Sequence, residues 1–138
     1  MSAITVIEGL IKLGTIIADV KAKKADSGEF DFAAFLNDDA PKNMQATVKS
    51  ILSGLKPGDI ASAIAGVESK QKDLLAGEAV VDLSNEKLIQ YATLNNTKLL
   101  LNTAQVKQAA DADFYVWLAD DGLPDLIKIA GVVLPLLV

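Results

Sequence analysis

The sequence predicts an all-α protein: a compact bundle of five or six helices, with a long amphipathic first helix and a hydrophobic C-terminal helix. Three observations predict it. Apolar residues recur at three- and four-residue spacing through most of the 138 positions, and no stretch of useful length alternates as a strand would. Glycine, proline and aspartate sit where those periodic stretches break. Apolar residues make up 51% of the chain and mean hydropathy is +0.31, enough to fill one core in a single domain spanning 1–138.

The first helix is expected from Ala3 to about Lys24. Ala3, Val6, Leu10, Leu13, Ile17 and Val20 form one apolar seam, and Ile4, Ile7, Ile11, Gly14 and Ala18 form a second beside it. Only Thr5, Glu8, Lys12, Thr15 and Asp19 make a polar stripe. A surface helix carries one apolar stripe, so a wider one needs cover on two sides. That cover is other helices of this chain, other copies of it, or lipid.

Residues 25–29 read as a loop, followed by Phe30, Phe32, Phe35 and Leu36 as a plug for one end of the core. A second helix is expected after Asp38 or Asp39, with Pro41 in its first turn and an apolar face of Met44, Val48, Ile51, Leu52 and Leu55. Gly54, Leu55 and Pro57 fit a Schellman ending. Asp59 is placed to cap a third helix with Ile60, Ile64, Val67, Gln71 and Leu74 on one face, ending at Gly77. Residues 80–83 read as a connector, and Ser84 as the cap of a fourth helix running to about Ala110. Leu88, Ala92, Asn95, Leu99 and Val106 track a heptad-like seam there, with Tyr91, Leu94 and Leu101 beside it. A short fifth helix over 112–119 carries Phe114, Tyr115, Val116, Trp117 and Leu118. Asp121-Gly122-Leu123-Pro124 repeats the earlier stop, and the last helix covers 124–137.

Composition removes most catalytic chemistry. The chain has no cysteine, histidine or arginine, and all 13 basic residues are lysine. There is no thiolate, no imidazole base or metal ligand, and no bidentate guanidinium. An enzyme would have to work with Asp, Glu, Lys, Tyr and Ser, so a non-enzymatic protein with no cofactor is expected. The net charge of −5 opposes nucleic-acid binding, which draws most of its affinity from a basic face. Residues 1–11 lack the positive start of a secretory signal, which favours a cytoplasmic or virion-associated protein. The apolar run 126–138 is shorter than the ~20 residues of a membrane span and contains Lys128 and Pro135. Membrane contact stays open as a second reading; a spanning segment does not.

Thirteen of the 18 acidic residues are aspartate, but their pairs match no EF-hand loop and fall at helix boundaries, where aspartate caps. No metal or catalytic site is expected. The surplus of apolar surface instead points to self-assembly or docking to a protein partner, with Val6, Leu10, Leu13, Ile17, Val20, Trp117, Ile129 and Val133 as interface candidates. Virion, phage and injection-apparatus components are proteins of this kind. The alternatives are a pore-forming or holin-like helical protein, and a bundle carrying an apolar ligand.

Overall fold

A computed structural model describes residues 3–23, 35, 40–108, 114–115 and 117–137. The described residues are all-α and contain no strand. Five helices appear among them: α1 (Ala3–Lys23), α2 (Lys42–Ser53), α3 (Pro57–Leu75), α4 (Asn85–Gln108) and α5 (Leu123–Leu137). A 3-10 turn, Val80–Asp82, joins α3 to α4, and a π-helical turn, Leu118–Gly122, runs into α5. Phe30, Phe32 and Leu36 of the expected plug lie outside the described residues, as do Asp38 and Asp39. Phe35 is half-buried and packs against the core.

Helix α1 is the centre of the bundle, because both of its apolar seams find cover in the chain. Gly9 faces Leu55 and Ile51 around α2, and Gly66 of α3 lies beside Ala3. Gly14 meets Leu118 and Leu123 at the π-turn and the start of α5. Val6, Ile7, Leu10, Leu13 and Ile17 are consequently almost without solvent exposure. Each such side chain contributes roughly 1.5–3 kcal/mol by leaving water. Past the core, Lys21 of α1 forms an ion pair with Asp120 of the π-turn. Both groups are exposed, so the pair orients the ends of these elements more than it stabilises them.

Helices α3 and α4 form a hairpin with the most extensive contact in the fold. Ile60, Ala63, Ile64 and Val67 of α3 pack into the core, opposite Leu94, Thr97, Leu101 and Ala104 of α4. Two buried polar side chains lie in this layer. Thr97 donates to the Thr93 carbonyl at 2.8 Å within its own helix, and Gln71 reaches the Tyr91 carbonyl at 3.5 Å. Helix α5 then closes the bundle against α1, α3 and α4, with Leu126 and Val133 inward.

Several helix ends differ from the sequence reading. Pro41 stands just before α2 rather than in its first turn. Gly54 has φ −98°, so it makes no left-handed Schellman cap; its N–H donates to the Ile51 carbonyl at 3.1 Å in a tightened last turn. The left-handed ending falls after α3, at Ala76 (φ 48°) and Gly77 (φ 83°). Helix α3 begins at Pro57, and Asp59 in its first turn accepts the Lys56 N–H at 3.2 Å. Ser84 caps α4 as expected, with its hydroxyl accepting the Lys87 N–H at 3.3 Å.

The largest difference is at Gly122, which does not stop a helix. Trp117, the π-turn and Leu123 all keep right-handed helical angles, so the chain winds on through 117–137 with one inserted residue. The π-turn lets the wall of α1 and the Trp117 ring approach the backbone. A Cβ on Gly122 would sit 2.9 Å from the ring, and one on Gly14 would sit 3.1 Å from the Leu123 Cβ. Gly131, on the exposed side of α5, has nothing within 4 Å of where its Cβ would stand. Gly131→Ala is therefore expected to stabilise the fold by about 0.5–1 kcal/mol through helix propensity, read as a raised urea midpoint.

Candidate functional site

The eight interface candidates do not share a surface. Val6, Leu10, Leu13, Ile17, Val20 and Val133 are all buried in the chain's own core. Their seam is satisfied by α2, α3, α5 and the π-turn, so in this fold it offers nothing to a second molecule. Trp117 is half-buried, its ring tilted by 33° against that of Phe114 at 6.4 Å and closed over Gly122. Ile129 is the exception: it is half-buried and lines an open groove between α4 and α5.

That groove leads to the apolar face the molecule does expose. The seam expected on α4 is rotated from the buried one. Leu94, Thr97, Leu101 and Ala104 face the core, while Ala92, Leu99 and Val106 point outward. Ile89 is 64% exposed, Leu99 55% and Val106 71%. Together with Ala92, Asn96 and Thr103 they form one stripe spaced three and four residues apart along α4. None of the six carries a charge. Thr103 directs its hydroxyl to the Leu99 carbonyl at 3.0 Å, which removes its donor from the demand of the stripe.

Asn96, Leu99, Leu100 and Thr103 form one wall of the groove; Asp125, Lys128 and Ile129 of α5 form the other. Its volume is about 420 Å³. Asp125 and Lys128 are exposed charges on the α5 side, and Leu99, Leu100 and Ile129 supply the aliphatic part of the lining. Ile127 and Val132 add exposed apolar area on α5. Ile89, Ile127 and Val132 lie outside the residues that the sequence singles out as interface candidates. The signal for Ile89 is the second 3-4 stripe of α4, which is as regular as the buried one and differs by holding the larger exposed aliphatics.

The arrangement suits recognition by packing. It presents aliphatic surface, one amide at Asn96 and a charged lip. Among the described residues no group of three acidic side chains converges on a common point. No helix among them is long and apolar enough to cross a membrane. Comparison of the chain with known protein families, curated proteins and solved structures gives no match.

Proposed function

We propose that the chain is a non-enzymatic interaction protein that docks to another protein surface through the outward face of α4 and the adjoining lip of α5. The observation that supports this reading is the uncharged stripe Ile89, Ala92, Asn96, Leu99, Thr103 and Val106 along α4, exposed at every position but the half-buried Thr103. A solvated helix face is normally charged or polar, and an uncharged stripe with three large aliphatic side chains on water is the pattern of a helix awaiting a partner. The docking face thus moves from α1 to α4. Membrane action through the α1 seam would require the bundle to open, since that seam is its core.

A photo-cross-linking residue at position 99 tests the proposal, with the exposed position 61 of α3 as control, in the purified chain and in extract of its native source. Covalent adducts are expected from position 99 and not from position 61. Absence of adducts from position 99 in both settings overturns the docking reading.

A further inference from the structure

Resting on that reading, we infer that the occupant of the α4 face is a second copy of this chain, packed antiparallel about a two-fold axis that crosses α4 between Asn96 and Leu99.

The heptad positions of the stripe carry the argument. Ile89, Asn96 and Thr103 occupy one seam position; Ala92, Leu99 and Val106 occupy the other. When two such helices run antiparallel in register, Ile89 packs on the partner's Val106, Ala92 on the partner's Thr103, and Leu99 on the partner's Asn96. Large faces large at the ends, small faces small next to them, and at the centre each Leu99 meets the partner's Asn96 beside the groove. The face is thereby its own complement, as a two-fold interface demands.

The flanking positions select the orientation. One edge of the stripe holds Glu86, Thr93, Leu100 and Lys107; the other holds Leu88, Asn95 and Asn102. Antiparallel packing sets like edges together. It pairs Glu86 with the partner's Lys107 at both ends, and Asn95 with the partner's Asn102 on the other edge. Glu86 and Lys107 are the charges that α4 itself places on these edges, and neither has an ion-pair partner in its own chain among the described residues. Parallel packing would set Lys107 against the partner's Asn102 and leave Glu86 without a partner. Antiparallel helices also align their dipoles favourably.

The expected size of the interface sets its strength. From Ile89 to Val106 the stripe is about 26 Å long, and a helix is about 10 Å wide with its side chains. That strip alone falls short of the ~800 Å² per partner of a standard interface. The groove wall of α5, with Ile129 and the Asp125–Lys128 lip, supplies further contact beside it. Association is therefore concentration-dependent rather than permanent.

Sedimentation equilibrium over a range of chain concentrations tests this, with circular dichroism on every variant to verify the fold. The wild-type mass is expected to rise from one chain towards two. Leu99→Lys, at an exposed position, should remain folded and weaken association at least tenfold. Glu86→Lys and Lys107→Glu each create two like-charge contacts and should each weaken it by roughly three- to tenfold. The double variant Glu86→Lys/Lys107→Glu should recover wild-type association within about twofold, since the pairs re-form in reverse. No recovery, or an association that Leu99→Lys leaves intact, overturns the antiparallel α4 pairing. A wild type that stays monomeric throughout overturns it too. In that event a position-99 adduct with a mass other than two chains leaves the docking reading standing, whereas no adduct at all removes both.

Discussion

Leu10→Asp is expected to leave the chain unfolded at 25 °C. Leu10 lies midway along α1, 1% exposed, within the cluster that joins α1 to α2, α3 and α5. Truncation to alanine alone costs about 2–5 kcal/mol at such a site. Aspartate removes the same packing and adds a charge with no partner in an apolar surround, a cost of several kcal/mol more. The sum is comparable with the roughly 5–15 kcal/mol that holds a domain together. Ile17→Asp, one turn from the π-turn contact, should behave alike. Far-ultraviolet circular dichroism reads the outcome. A helical, folded Leu10→Asp chain that had merely lost a partner would show that the α1 seam is an interface between molecules.

Gly122→Ala should destabilise the fold by about 1–3 kcal/mol, with a drop in Tm of several degrees. The added Cβ would stand 2.9 Å from the Trp117 ring, with two further ring atoms at 3.1 Å. The ring is rigid and packed beside Phe114, so relief requires a shift of the π-turn against α1. Trp117 is the sole tryptophan, and its fluorescence therefore reports the same contact. Replacing the ring removes the obstacle. In the Trp117→Leu background Gly122→Ala should cost under about 0.5 kcal/mol, the neighbour coupling that a double-mutant cycle detects. An equal cost in both backgrounds would place its origin in the turn backbone instead of the ring.

The fold class was legible because helix periodicity survives in almost every segment. The width of the apolar face on α1 was also legible, and it correctly demanded cover on two sides. What covers it was not, because a seam filled by Leu118 and Leu123 of the same chain and one filled by a second copy have the same local spacing. The spacing is as compatible with a partner's surface, and the structure fills the seam from within. Helix α4 shows the complementary ambiguity. Its two stripes, Leu94-Thr97-Leu101-Ala104 and Ile89-Ala92-Asn96-Leu99-Thr103-Val106, share the same three- and four-residue spacing. The chain buries the first, whose Thr97 and Ala104 let α3 approach, and exposes the second. Spacing alone does not choose between them, and close helix packing rewards small residues as much as large ones. Gly122 fails as a stop signal for a related reason. A glycine before leucine and proline reads as a helix end, yet here it serves a close approach by Trp117 that lies five residues back and is invisible to local pattern.

Labour is divided in this fold: α1 holds the molecule together, and the outward face of α4 is left to meet another. Urea denaturation of Leu99→Lys beside Leu10→Asp tests it most directly, at a dilution where chains are separate. Leu99→Lys is expected to unfold within about 0.5 kcal/mol of wild type, as an exposed substitution does, while Leu10→Asp shows no folded baseline. A Leu99→Lys chain that loses several kcal/mol, or a Leu10→Asp chain that keeps a cooperative transition near that of wild type, would contradict it.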